Sequence, residues 1–241
     1  MANFVELWVY LASAPLFGLT ATLAVYVLAQ ALSVRSGHAP WANPVMVSVA
    51  ILASVMLATG TAYPTYFAGA QFIHFLLGPA VVALGWPLWQ RRAALRARWA
   101  RISLASLAGG SAAAASAVGL GWVLGLPGDV LMSLAPKSVT APVAMGIAAQ
   151  IGGVPALAAV FAALTGMVGA LSARWLFGLM RLPTDAQGMA LRGFALGTAS
   201  HGIGAAHALQ VHAEAGAYAG LALGLQVVLA AVLMPLVFRL L

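Results

Sequence analysis

An all-α membrane protein is the fold class this sequence predicts, and three observations carry it. Hydrophobic residues make up 63% of the 241 residues and charged residues 6%, and the mean hydropathy is +1.00. A water-soluble domain has about 25% charged residues with which to cover itself. The apolar runs are long and continuous and do not alternate with period two, which predicts helices and not a β-barrel. Third, the net charge of +7 is unevenly placed. It comes from ten arginines and Lys137 against Glu6, Asp129, Asp185 and Glu214, and five of the arginines fall in the stretch QRRAALRARWAR. Such a cluster marks a cytoplasmic loop, so the basic balance is read as membrane topology and no nucleic-acid partner is expected. With no cysteine, neither a disulfide nor a thiolate metal site can form.

In chain order, the N-terminus MANFVEL carries Glu6 and no basic region, so no cleaved secretory signal is expected. Glu6 to Leu11 reads as an interfacial lead-in ending before Pro15. Spans are predicted over 14–33, 43–60, 66–90, 100–125, 130–150, 153–180, 187–212 and 215–238, with no polar linker between them, hence one transmembrane domain over 1–241. Asn43-Pro44 reads as a helix start. Thr184 and Gln187 are spaced as a capping box, with Asp185 in the first turn.

The arginines set the orientation. With Arg91–Arg101 inside, Arg35 and His38 are also inside and the N-terminus outside. The 126–129 turn is then outside, and Arg181, Arg192 and Arg239 are assigned inside. All of this holds together only if 130–150 enters and leaves on the outer side. The expectation is therefore about seven transmembrane helices plus one re-entrant or broken-helix hairpin, with the N-terminus outside and the C-terminus cytoplasmic. Leu77–Gly85 (LGPAVVALG) aligns on its prolines with Leu134–Pro142 (LAPKSVTAP) at an offset of 57. Paired Gly/Pro-interrupted segments point to a carrier's binding site. The match is short and uses common residues, so an inverted repeat and a coincidence both stay open.

LAPKSVTAP holds the sole lysine of the chain. Pro136 and Pro142 interrupt a continuous helix, and a charge at membrane depth costs about 2.5–3.5 kcal/mol on insertion scales. A helix starting near Lys137 would offer free N–H groups, which favour anions. Ser138 and Thr140 add hydroxyls and Lys137 a full positive charge, a set suited to a small carboxylate. The competing reading is a lysine reaching the interface beside a proline turn.

The second candidate is Thr198–Leu209, TASHGIGAAHAL. Gly202 and Gly204 loosen the helix where Ser200 and His201 would face a cavity, and His201 is suited to relay a proton. The plainer alternative is interhelical hydrogen bonding. His212 falls on a similar face and His207 does not. The histidine spacing and the absence of cysteine argue against zinc. Adjacent Ser-His residues point apart on a helix, which argues against a hydrolase, so no catalytic residue, metal or cofactor is expected. Gly216, Gly220 and Gly224, like Gly109 and Gly110, read as close-packing surfaces. Tyr63, Tyr66, Trp86 and Trp89 read as an interfacial belt.

Taken in order, Asn43-Pro44, LLGPAVVALGWPLW, LAPKSVTAPVAMGIAAQIGG, PALAAVFAALTGMVGA and GTASHGIGAAHAL resemble the LrgB/CidB family of bacterial membrane proteins. The resemblance covers about 43–236 and extends to the C-terminal half of the plastid glycolate/glycerate translocator. PKSVT and SHGIG are its specific elements. It implies two activities. One is holin-like or antiholin-like modulation of murein hydrolase activity and lysis, with a small LrgA/CidA-type membrane partner that this chain does not contain. The other is transport of small monocarboxylates such as pyruvate, lactate, glycolate or glycerate. A homo-oligomer surrounded by membrane lipid is expected in either case. Lys137, Ser138, Thr140, Ser200 and His201 match the motif positions. The family often carries Arg or Lys where His207 stands and Thr where Ala205 stands, a departure that loosens what the resemblance says of the substrate.

Overall fold

The computed structural model describes residues 16–37, 39–76, 79, 82, 85–90 and 92–240. All regular structure among them is helical. The Glu6–Leu11 lead-in, His38, Arg91 and most of Leu77–Gly85, with its offset-57 comparison, lie outside the described residues. The backbone clusters into two compact units, Met1–Ala80 and Val81–Leu241.

In the first unit α1 spans Phe17–Arg35, α2 Pro44–Thr59 and α3 Tyr63–Phe75. Asn43 caps α2 as its sequence predicts: Oδ1 accepts from Val45 N at 3.0 Å and Met46 N at 3.3 Å, and Pro44 fills a first-turn position whose N–H would have no partner. The Tyr66 hydroxyl meets Thr22 Oγ1 at 2.6 Å and pins α3 to α1. Tyr63, Trp86 and Trp89 are exposed, as a belt requires.

The second unit contains α4 (Gly85–Gln90), α5 (Arg92–Val123), α6 (Gly128–Leu134), α7 (Ala141–Ile151), α8 (Pro155–Leu179), α9 (Ala186–Val211) and α10 (Ala213–Leu240). Among the described residues, four stretches are long and apolar enough to cross a membrane: Phe17–Arg35, Trp99–Val123, Pro155–Leu179 and Ala213–Arg239. A bilayer core needs about 20 residues of helix. Large apolar side chains such as Leu57, Val168 and Trp175 are exposed, as befits a surface solvated by lipid. Alanines dominate the interior, with Ala144, Ala158, Ala162 and Ala219 fully buried; small residues let helix backbones approach where lipid supplies no hydrophobic drive. The protein is a multi-pass membrane protein.

Two helical hairpins organise this unit. The first is α6–α7. Its limbs of seven and eleven residues are about 10 and 16 Å long, each too short to cross. Residues 135–140 separate them, where Pro136 and Pro142 were expected to break the helix. Ser133 Oγ accepts from Val154 N at 2.7 Å and donates to Asp129 O at 2.6 Å. The last turn of α6 is thereby tied to the start of α8, and the chain returns to the end it came from.

The second hairpin was not anticipated. The segment 187–212, read as a single span, doubles back inside α9 at His201, whose φ of 40° and ψ of −134° are not helical. A Cβ on Gly204 would lie 2.8 Å from Leu196 O; an unbroken helix separates residues eight apart by about 12 Å. Beyond the tip, the start of α10 runs beside the first limb of α9, with the backbone of Ala215 against Gly193 and that of Ala219 against Gly197. Leu209, in the second limb, packs on Gly216. Two of the expected packing glycines, Gly109 and Gly110, meet Thr198 and Gln226.

The fold-back changes the side on which α10 ends. Ala215 and Ala219 cluster with Ala173 and Phe177 from the far end of α8. Ala230 and Met234 cluster with Ala158 and Ala162 from its beginning. Hence α10 runs antiparallel to α8, and Arg239 lies at the opposite end from Arg181, not beside it as the arginine count had it. Counting crossings by apolar length treats a hairpin as a span and inverts everything after it. Within this unit α5 with the first hairpin and α8 with the second hairpin run in opposite directions.

Candidate functional site

The hairpin tips meet. A cavity of 380 Å³ in the second unit is lined by Lys137 and Ser138 from the first tip and Ala199 and Ser200 from the second, with Thr165 and Gly169 from α8 between them. Helix α8 is 25 residues long, about 37 Å, and its lining positions 161–169 fall near its middle. The cavity therefore lies midway along α8, at the level of both hairpin tips.

Each polar group arrives there for a local reason. Lys137 follows Pro136 in a run of tight turns, its N–H donating to Leu134 O at 3.1 Å and Val139 N–H to Pro136 O at 3.1 Å. Its Nζ donates to Ser138 Oγ at 3.3 Å, and among the described residues no carboxylate pairs with it. Ser200 precedes the reversal, and its side chain lies over Gly169, where a Cβ would overlap its Oγ. Thr198, two residues earlier, returns its hydroxyl to Phe194 O at 2.9 Å, the usual recourse of a helical threonine in an apolar bundle. Neither Ser200 nor Thr165 makes a side-chain hydrogen bond among the described residues. Their hydroxyls are left to the cavity.

The remaining two candidates sit elsewhere. Thr140 is the N-cap of α7, with an extended backbone and no side-chain cap bond, and it does not line the cavity. Helix α7 begins at Ala141, four residues after Lys137, so its first turn does not start at the lysine; within the tip the N–H groups of Lys137 and Val139 donate to Leu134 O and Pro136 O. His201 is 4% exposed and turns its ring away from the cavity. Nε2 lies 2.7 Å from Ala162 O. His207 is half-buried in the second limb, and His212 is exposed, its Nδ1 accepting from Glu214 N at 3.1 Å.

Thr165, Gly169 and Phe161 were missed. The signal was a polar residue and a small residue four apart on one face of an otherwise apolar helix, which is also the pattern of ordinary membrane helix packing. The helix cap was misplaced by one residue. Asp185 Oδ1, not Thr184, accepts from Gly188 N at 2.8 Å. No cluster of three or more metal-ligating side chains exists among the described residues.

Comparison with known proteins agrees with this picture of the chain. The model of the LrgB-like family matches residues 22–240. The holin-like protein CidB of Staphylococcus aureus (strain Mu50) is 28% identical over 227 residues, covering 91% of this chain and 93% of its own. The uncharacterized protein YxaC of Bacillus subtilis is 31% identical over 198 residues, 82% of this chain and 84% of its own. An uncharacterized Haemophilus influenzae protein is 30% identical over 200 residues, 82% and 84% of the two chains. No solved structure matches. The chain belongs to the LrgB family.

Proposed function

We propose that this protein binds a small monocarboxylate between its two hairpin tips and carries it across the membrane. The observation that supports this is the convergence, in one cavity beside the middle of α8, of an ammonium with no carboxylate partner among the described residues and the hydroxyls of Thr165 and Ser200. Lys137 holds the carboxylate, and Ser138, Thr165 and Ser200 bond the keto or hydroxyl oxygen of a 2-oxo or 2-hydroxy acid. An ionisable residue at that depth is costly enough to need a purpose, and broken helices meeting at a midplane are the usual construction of carrier sites. With Arg92–Arg101 cytoplasmic by the positive-inside rule, the first hairpin is re-entrant from outside and the second from the cytoplasm, and α10 ends outside.

A second reading has its own support. The Staphylococcus relatives carry the name holin-like, and this favours a modulator of murein hydrolase activity and lysis, acting as a homo-oligomer or with an LrgA/CidA-type partner, more directly than it favours a carrier. Such a protein needs no small-molecule site. Proteoliposomes separate the two. A carrier takes up radiolabelled pyruvate, lactate or glycolate while retaining an entrapped unrelated dye, and loses uptake on Lys137→Ala. Dye leakage that Lys137→Ala leaves intact would favour the holin-like reading.

A further inference from the structure

His201 faces away from the cavity, yet its environment is shaped around it. A carbonyl oxygen can only accept, so the short contact to Ala162 O fixes Nε2 as the protonated ring nitrogen. Ala162 is fully buried and His201 nearly so. The ring occupies a slot in α8 made by the missing side chain of Gly166. A Cβ there would lie 2.9 Å from both Cε1 and Nε2. One turn on, Gly169 makes the corresponding room for Ser200. The backbone of His201 is in a region that side chains rarely adopt, φ 40° and ψ −134°, and positions of this kind persist only where surrounding contacts impose them. The contacts that do so are the packing of Ser200 and Ile203 on Gly169 and Gly166 and the ring's hydrogen bond to α8, of which the last is directional.

From this we infer that His201 is a positioning residue: its Nε2–H hooks the tip of the second hairpin onto Ala162 of α8, and this hold keeps the hydroxyl of Ser200 over Gly169 in the cavity. The hook needs a neutral donor of the right reach. It needs no proton transfer, since the Nε2 proton is committed to Ala162 O and the ring does not line the cavity. The inference rests on the reading of that cavity as a binding site, but its test does not require transport.

The chain has no cysteine, so Ser200→Cys is a lone thiol whose alkylation rate by a small water-soluble maleimide reports the position of the tip in the full chain in lipid vesicles. With the hook intact the thiol is closed over Gly169 and reacts slowly. Adding His201→Phe, which keeps an aromatic ring and removes the donor, is expected to raise the rate about tenfold, the scale of one buried hydrogen bond. Adding Gly166→Ala, whose Cβ would lie 2.9 Å from the ring and from Ile203 Cβ alike, displaces the tip as a whole and is expected to raise the rate at least as much. Adding His201→Gln, which restores a donor near the Nε2 position, is expected to leave the rate within about twofold of the parent. A Phe variant that labels like the parent overturns the inference, as does a Gln variant that labels like Phe. Uptake measured beside labelling keeps the two claims apart. If the unaltered chain, with Ser200 in place, transports none of the acids, the carrier reading falls and the hook stands or falls on the labelling rates.

Discussion

The two hairpin tips reach the same cavity by different physics. The first, residues 135–140, is broken by covalent structure: Pro136 and Pro142 each remove a backbone donor, and the chain crosses the gap in six residues of turn. The second is a reversal at one residue with no proline near it. Gly202 and Gly204 lie beyond the reversal, but the unusual φ falls on His201 itself, and the conformation is imposed from outside by two glycines of α8. The first tip also carries the charge and the second a neutral hydroxyl. The first break is thus a local property of the sequence and tolerates changes in its neighbours. The second is a tertiary property that a change on another helix can undo.

The largest effect is expected at the first tip. Lys137→Ala removes the one cation that faces the cavity among the described residues; losing a charge-assisted bond costs about 1.5–3 kcal/mol, so affinity for a monocarboxylate should fall roughly 10- to 100-fold, read by equilibrium binding to the purified protein. Next comes the test of dependence on another helix. Gly169→Ala, on α8, places a Cβ where Ser200 Oγ sits and should weaken binding by about tenfold, whereas Gly146→Ala on α7, where a Cβ meets nothing within 4 Å, should leave it unchanged. If both glycine variants bind alike, the second tip does not depend on α8 and the contrast fails. Ser200→Ala deletes one neutral hydroxyl and should cost a smaller factor, about five, consistent with roughly 1 kcal/mol, read in the same titration. The smallest effect lies away from both tips. Asp185→Ala removes the cap of α9, worth about 1 kcal/mol, and should lower Tm in detergent by about 2–4 °C with binding unaltered.

The same contrast explains what the sequence could reveal. The spans at 43–60 and 153–180 agree within a few residues with α2 and α8, because apolar run length and start residues such as Asn43 are local signals. Lys137, Ser138 and Ser200 were singled out by being polar in apolar surroundings, and they line the cavity together. The reversal at His201 was not legible. A limb of fifteen residues and one of ten, both apolar, add up to what reads as a single crossing, and nothing near the histidine announces that α8 carries Gly166 and Gly169 opposite it. Placing Arg239 at the same end as Arg181 failed for that reason. Thr165 escaped because one threonine in a long apolar helix is common, and only the fold shows that its hydroxyl is not turned back to its own helix.

The central claim is that the cavity between the tips recognises a carboxylate through Lys137. Its most direct test is calorimetric titration of the purified protein, and of Lys137→Ala, with lactate and with lactamide, the neutral amide of the same shape. Lactate is expected to bind the unaltered protein and to weaken at least about tenfold in the variant, with lactamide weak in both. Equal lactate affinities in the two proteins, or lactamide binding as well as lactate, would contradict it.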